Sequence, residues 1–188
     1  MNVLTIDADY VYSPSISEYD DYVDGSRIEL GKQLAIISAL GYYAIENQKK
    51  VSEIVLCLQH VKQSAKVHIV KHHHDILRHL PKTGKYKIVN IDHHHDIFYP
   101  GWHDKEVLDE GNWVYHLDRC EEYTWIRNED SEDMPEHKLD FVVNELFFSD
   151  KVLECMPKFD MVVLCESPHW TGGKGKLTVD KFINELKK

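Results

Sequence analysis

The stretch that decides the fold is KIVNIDHHHDIFYP, residues 87–100. Its apolar start is typical of a buried strand, and this run ends directly in three histidines between two aspartates. A similar run, VHIVKHHHDIL, occupies residues 67–77. Both runs lie inside the chain beside strand-like segments, unlike a terminal purification tag, so we interpret these histidines as part of the fold.

Apolar strands alternate with helical patterns along the chain. We predict strands at 3–8, 66–70, 86–91 and 159–166, and helices at 26–47 (capped by Ser26), 51–65, 76–80, 139–156 and 178–188 (capped by Thr178). The most polar segment, 128–138, is predicted to be an exposed loop. The alternation predicts an α/β fold with a mainly parallel sheet, in a single domain over residues 1–188. Such sheets bind ligands at the carboxyl ends of their strands.

The composition is ordinary for a soluble globular protein and restricts the classes of function. The 188 residues carry a formal net charge of -10, which argues against nucleic acid as a partner and suits a cationic substrate. The cysteines are scattered without a CxxC pair, so we expect neither a disulfide framework nor a zinc knuckle. The amino terminus lacks a signal-peptide pattern, and no apolar run is long enough to cross a bilayer. We therefore expect a cytoplasmic protein without a membrane partner.

The DHHHD motif has the residue types and spacing of a metal site. In an extended chain alternate residues face the same way, so Asp92, His94 and Asp96 are expected to point together. His93 and His95 then point elsewhere, and we interpret them as supporting or surface groups. The motif therefore supplies two carboxylates and one imidazole at the end of a strand.

The segment TIDADY has the same two-residue spacing at another strand end, which places Asp7 and Asp9 on one side of the chain. One histidine from 72–74 completes a set of four carboxylates and two imidazoles, although spacing does not choose among the three. Hard oxygen donors with few nitrogens suit Mn(II) better than a thiolate-rich zinc site. Four adjacent carboxylates cannot all stay ionised without a cation, so we expect two metal ions.

These motifs resemble those of the arginase (ureohydrolase) superfamily. The Asp-x-His-x-Asp motif of that family is matched by Asp92, His94 and Asp96, and its Ser-x-Asp-x-Asp motif by TIDAD with Thr5 in place of serine. The resemblance implies a three-layer α/β/α fold that holds two Mn²⁺ ions. The Asp-x-Asp motif comes first in this chain, whereas it comes last in arginases, so the implied arrangement is circularly permuted.

The closest likeness is to a small, circularly permuted branch of the superfamily that includes peptide arginases. There, a Val-Glu-x-His-like turn precedes the strand that ends in Asp-x-His-x-Asp, and aligning VKHHHDIL on it selects His73 as the ligand. The resemblance implies that two aspartates bridge both metals and that each metal has two further ligands. The bridging pair is Asp92 and Asp7, one metal is completed by His73 and Asp96, and the other by His94 and Asp9.

The resemblance also implies a reaction: arginine side chains in a ribosomal precursor peptide are hydrolysed to ornithine and urea by a hydroxide that bridges the metals. Glu166, after the strand at 159–166, is our candidate for binding the guanidinium group, with an exposed loop residue as the alternative. His169 and His116 are both candidates for protonating the leaving amine. Asn112 and Trp113 match a substrate-lining Asn-Trp segment, and Trp113 is equally well explained as core.

Several alternatives stay open. The substrate could be free arginine, agmatine or another small guanidino compound, and the oligomeric state is undetermined. A deacetylase or other amidohydrolase of the same fold needs one zinc ion with two aspartates and one histidine, which leaves Asp9, Asp96 and His73 as surplus ligands. A metal-stabilised binding module is the alternative without catalysis, and its site should be closed to water.

Overall fold

Six strands form one sheet in the computed structural model, which describes residues 1–12, 45–98 and 107–188. In chain order the strands are β1 (Asn2–Asp7), β2 (Val61–Val70), β3 (Tyr86–Ile91), β4 (Cys120–Arg127), β5 (Val142–Phe147) and β6 (Phe159–Cys165). Their order across the sheet is β2-β6-β1-β3-β4-β5, and every neighbouring pair is parallel. The predicted α/β class with a mainly parallel sheet is confirmed.

Helical segments cover both faces of this sheet, which gives three layers. The α-helices are α1 (Gln48–Leu58), α2 (Asp150–Glu154) and α3 (Gly175–Leu186), and 3-10 turns span Ala8–Val11, His73–Arg78 and Trp113–His116. Helices α1 and α3 pack in one hydrophobic cluster with Leu4 and Ile6 of β1. The turns at His73–Arg78 and Trp113–His116 pack in a second cluster, on the opposite face, with Val3.

Alternation along β1 and β3 carries polar side chains onto the second face. In β1, Thr5 and Asp7 share the side of Val3, because side chains two residues apart face the same way. Asn90 of β3 likewise shares the side of Ile88. Thr5 and Asn90 are completely buried, so each of these strands has a buried polar side chain near its carboxyl end.

The predicted strands at 3–8, 66–70, 86–91 and 159–166 are confirmed, but the predicted helix at 51–65 is wrong beyond Leu58. From Val61 the chain is strand β2, which among the described strands pairs with β6 alone and has a register irregularity between Val61 and Lys66. An edge strand is exposed along much of its length. Polar residues therefore occur at most positions of β2, and apolar and polar residues do not alternate as they do in a half-buried strand.

The mostly helical prediction for 139–156 is also wrong in its first half. Residues Val142–Phe147 form β5, and only the short helix α2 follows. Strand β5 is the other edge of the sheet, and Val142 and Phe147 are exposed, so its apolar spacing is not that of a buried strand. Segment 128–138 contains no helix or strand, as predicted for a loop.

Thr178 does not cap the last helix, which begins three residues earlier, at Gly175. The Thr178 hydroxyl is buried and bonds to Tyr12 and Glu46 instead. Gly175 is required at the start of α3, because a Cβ there would lie 1.7 Å from the carbonyl oxygen of Glu166. The predicted short helix at 76–80 overlaps the 3-10 turn at His73–Arg78.

The predicted helix at 26–47 falls outside the described residues except for 45–47, which are not helical. Glu46 there forms a bridge with Tyr12, and the side chain of Asn47 caps α1. No helix in the described ranges combines the length and the apolar character that crossing a membrane requires.

Candidate metal centre

The strand register brings the predicted ligands to one edge of the sheet. Asp7 pairs with Cys165 at the ends of β1 and β6, and Ile6 pairs with Ile91 at the end of β3. Asp92 follows Ile91 directly, so the two aspartates leave neighbouring strands side by side. The described ends of these strands therefore form the floor of a polar site on the face covered by the turn at His73–Arg78.

One group of atoms surrounds Nδ1 of His73. This nitrogen lies 2.8 Å from Asp92 Oδ2, 2.9 Å from Asp96 Oδ2 and 3.4 Å from Asp7 Oδ2. The four side chains are at most 5% exposed. A ring nitrogen carries at most one proton and cannot donate a hydrogen bond to three carboxylates. This convergence makes the group a candidate set of ligands for a cation.

A second group of atoms adjoins the first. Nδ1 of His94 lies 2.9 Å from Asp9 Oδ2 and 3.9 Å from Asp92 Oδ1. Asp9 is almost completely buried, and its Oδ1 has no hydrogen-bond partner within the described part of the chain. Asp92 thus offers one oxygen to each group, as a residue that bridges two metals does. All six predicted metal ligands lie in these two groups.

The backbone brings the ligands together differently from the predicted extended chain. The carboxylate of Asp7 accepts a hydrogen bond from the amide of Asp9 (3.0 Å), and that of Asp92 accepts one from the amide of His94 (3.0 Å). The backbone therefore turns directly after Asp7 and directly after Asp92, instead of continuing as an extended strand. Asp96 has a φ of 54°, in the left-handed region, so its placement also depends on a turn.

His93 and His95 point away from the two groups, as predicted. His93 Nδ1 contacts the side-chain amide of Asn128 at 3.2 Å, and His95 Nδ1 accepts a hydrogen bond from the amide of Ile97 at 3.1 Å. Burial, with the nearby charges of His94 and Arg127, lowers the pKa of His95 to about 3. His95 is therefore a neutral supporting group.

The electrostatics of the two groups favour a bound cation. Burial raises the pKa of Asp7, and the charges of Asp9 and Asp92 raise it further. Burial and the charge of Asp96 raise the pKa of Asp92. Burial lowers the pKa of His73, but Asp92 and Asp96 outweigh it and hold that pKa well above its ordinary value. Four carboxylates sum to four negative charges, which two divalent cations balance.

Neighbouring side chains hold the ligands in place. Thr5 Oγ1 lies 2.7 Å from His73 Nε2, so the hydroxyl fixes the ring by its other nitrogen. The indole Nε1 of Trp113 donates to Asp96 Oδ2 at 2.6 Å. Neither role was predicted from the sequence, since neither contact leaves a local sequence signal.

Two further neighbours hold Asp92. Trp125 Nε1 donates to the carbonyl oxygen of Asp92 at 2.9 Å, and Asn90 Nδ2 donates to Asp92 Oδ2 at 3.2 Å and to the Tyr123 hydroxyl at 2.8 Å. The role of Asn90 was not predicted from the sequence. The sequence feature that could have identified this residue is its position: it is polar, it lies on the inward side of a buried strand, and it precedes a predicted ligand by two residues.

The residues predicted to bind the guanidinium group or to carry the proton have different surroundings from the metal ligands. Glu166 follows β6 and is half-buried, with its amide donating to Val70 O at 2.9 Å. His169 Nδ1 lies 3.7 Å from Glu110 Oε1, and the buried Nε2 of His116 has no hydrogen-bond partner among the described residues. Their roles stay predictions.

Asn112 and Trp113 have contacts other than the predicted lining of a channel. The Asn112 amide accepts from Asp109 N (2.9 Å) and donates to Val107 O (2.8 Å), so it fixes the shape of its own loop. Trp113 is completely buried and packs against His73, with ring centroids 5.0 Å apart. These contacts support the core alternative for Trp113.

Comparison of the chain with protein-family models, with curated proteins and with solved structures finds no significant match. The likeness to the arginase superfamily therefore stays a prediction that rests on the three metal motifs. The metal-binding interpretation is independent of it, because it follows from the convergence of atoms described above.

Proposed function

We propose that this protein is a hydrolase with two Mn²⁺ ions that converts arginine side chains of a peptide to ornithine and urea. The observation that carries the proposal is the pair of ligand groups joined through Asp92, whose two carboxylate oxygens face His73 and His94. A structural ion needs one closed group of ligands, whereas two joined groups suit the paired metals of hydrolytic enzymes.

The donor set supports manganese. Four carboxylates and two imidazoles are mostly hard oxygen donors, and no described cysteine belongs to either ligand group. Two bound ions lower the pKa of water, neutralise the carboxylates and polarise the substrate. Thr5 and Trp113 contribute by fixing the orientation of His73 and Asp96 before a substrate arrives.

In the proposed reaction the oxygen of one water attacks the guanidinium carbon, and the bond from that carbon to the side-chain nitrogen breaks. Both protons of that water move to that nitrogen, so that arginine and water give ornithine, as the ammonium ion, and neutral urea. Glu166 is proposed to hold the guanidinium cation through its carboxylate. His169 or His116 is proposed to carry the proton to the leaving nitrogen.

A peptide is the proposed substrate because of the size and charge of the chain. A net charge of -10 attracts an arginine-bearing peptide and increases its rate of encounter. The chain is shorter than typical arginases, and a short chain has fewer loops to enclose a site. This part of the proposal also rests on the motif likeness to the branch that includes peptide arginases.

Mass spectrometry after incubation with the manganese-loaded protein tests the proposal. We expect arginine-containing peptides to lose the mass of the amidino group and free arginine to stay unchanged. Asp92→Asn should abolish the conversion, because both groups lose a ligand. Asp160→Asn is the matched control: Asp160 lies at the amino end of β6, away from the metal groups, where it pairs with Lys62.

Other outcomes discriminate among the alternatives. Conversion of free arginine or agmatine alone would replace the peptide by a small substrate. Folded protein that binds two metals but converts no guanidino compound would refute arginine hydrolysis. One bound zinc with release of acetate from acetylated peptides would support a deacetylase.

A further inference from the structure

Three side chains converge beside the metal centre without belonging to it. They are His72, Glu110 and His169, here called the rim cluster. Glu110 Oε1 contacts His72 Nδ1 and lies 3.7 Å from His169 Nδ1, and the two imidazole rings are 5.2 Å apart. One ligand atom from each residue lies within 4.8 Å of the others.

The sheet topology places the two histidines together. His72 follows β2 and His169 follows β6, and these strands are parallel neighbours. Their hydrogen bonding continues past the strand ends, where Ser167 N donates to Lys71 O at 3.1 Å. The histidines therefore emerge from adjacent chain segments whose spacing is fixed by backbone hydrogen bonds.

The third member, Glu110, is brought in by a braced loop. Gly111 N donates to Asp109 Oδ1 at 2.8 Å, and the side chain of Asn112 bonds to both Asp109 N and Val107 O. Glu110 sits between these anchored residues. Its carboxylate is thus held opposite the two rings by loop geometry as well as by its own contacts.

The rim cluster differs from the metal centre in exposure. The side chains of His72, Glu110 and His169 are 33%, 30% and 32% exposed, whereas those around His73 Nδ1 are at most 5% exposed. An ion can reach the rim cluster from solvent, and a water or substrate group can complete its coordination.

We propose that the rim cluster is a separate site for one borderline divalent cation of the Zn²⁺ class. Two imidazoles and one carboxylate with an open position are the ligands of mononuclear zinc sites, whereas the metal centre is oxygen-rich and suits Mn²⁺. The proposal does not rest on arginine hydrolysis.

Occupation of the rim cluster has a consequence for His169. Its Nδ1 then faces the cation, so proton donation through that nitrogen and cation binding exclude one another. Zinc in the rim cluster should leave the Mn²⁺ content of the metal centre unchanged, because no ligand is shared between them.

The test is a Zn²⁺ titration of protein already saturated with Mn²⁺, followed by calorimetry, with released Mn²⁺ measured by electron paramagnetic resonance. We expect one additional Zn²⁺ per chain without release of Mn²⁺. Glu110→Gln and His169→Gln should each weaken this binding at least about 100-fold, since loss of an outer partner of a ligand alone costs about 10–100-fold. Glu122→Gln is the matched control, with a carboxylate of similar exposure (32%) that pairs with Lys87, and should bind as wild type.

Co²⁺ titration of the Asp92→Asn variant gives a second readout, an absorption band of cobalt with imidazole ligands. It should persist in Asp92→Asn and disappear when Glu110→Gln is added. The proposal is overturned by Zn²⁺ uptake matched by Mn²⁺ release, by no additional Zn²⁺, or by equal Zn²⁺ affinity in the two rim variants and wild type. Glu110→Gln and His169→Gln lie on different segments of the chain. If one of the two variants misfolds, the Zn²⁺ affinity of the other still tests the proposal.

Discussion

Thr5→Val removes a single hydroxyl next to the metal centre at nearly constant volume. Thr5 is completely buried, and its Oγ1 lies 2.7 Å from His73 Nε2. When Nδ1 of His73 binds a metal it carries no proton, so Nε2 carries the proton and donates to Thr5. Valine leaves this N–H buried without a partner.

The expected magnitude follows from that contact. A buried donor without a partner costs about 1–3 kcal/mol, and loss of the outer partner of a ligating histidine weakens metal binding about 10–100-fold. Because His73 faces only one of the two ligand groups, one of two binding constants should fall. The other, governed by Asp9 and His94, should stay within about threefold of wild type.

Calorimetric titration with Mn²⁺, paired with unfolding in the presence of a chelator, measures both effects. Thr5→Ser keeps the hydroxyl and deletes one methyl group, so it should cost about 1 kcal/mol of stability and leave both affinities unchanged. Thr178→Val is the control for a buried hydroxyl elsewhere, since Thr178 is completely buried and bonds to Tyr12. It should lower stability without changing metal binding.

Wild-type affinity at both sites in folded Thr5→Val would refute the argument that this hydroxyl orients His73. Equal weakening at both sites would refute the assignment of His73 to one group. Either result is distinguishable from general destabilisation, because Thr178→Val reports that effect alone.

Two further predictions concern metal and pH. Each Mn²⁺ site filled at about 100 times its dissociation constant should stabilise the protein by about 2.7 kcal/mol, or roughly 5–10 °C in Tm. At a fixed Mn²⁺ concentration the shift should grow with pH, because Asp7, Asp92 and His73 have raised pKa values and bind protons more tightly in the folded, metal-free chain; a shift that shrinks as pH rises would contradict this. Burial raises the pKa of Glu46, but Lys181 and Thr178 outweigh this effect and hold the pKa below its usual value. Glu46→Gln should therefore lower the free energy of unfolding by about 1 kcal/mol at neutral pH, measured by chemical denaturation. That cost should fade as pH falls below about 4, and a cost independent of pH would count against the ionised carboxylate.

The sequence predicted which acidic and histidine side chains converge at the sheet edge better than it predicted the sheet. Asp7 and Asp92 follow short buried strands, and parallel strands bring such ends together whatever the rest of the sheet does. Edge strand β5 was not predicted, and only the second half of β2 was predicted as a strand. Each of them pairs on one side and is exposed to solvent along much of its length. Local periodicity reports burial, and an edge strand lacks the burial that a central strand has.

Residues that hold or flank the ligands were out of reach for a different reason. Trp113 bonds to Asp96 from a loop, and Glu110 meets His72 across 38 positions of sequence. No local pattern marks such a contact, since it depends on where a loop returns to the sheet. Choosing His73 from three adjacent histidines needed the resemblance, and in the structure the partner that marks His73 is Thr5, 68 positions away.

Charge balance explains why the buried cluster is a candidate cation site rather than a set of neutralised ion pairs. Four carboxylates with both His73 and His94 protonated still leave two negative charges in a buried space, so the metal-free protein needs further protons on the carboxylates. The raised pKa values of Asp7 and Asp92 describe that state. In the proposed metal-loaded state divalent ions would take the place of those protons, so we expect metal binding to release protons to the solvent. Proton release on addition of Mn²⁺ is therefore a direct consequence of the proposed site.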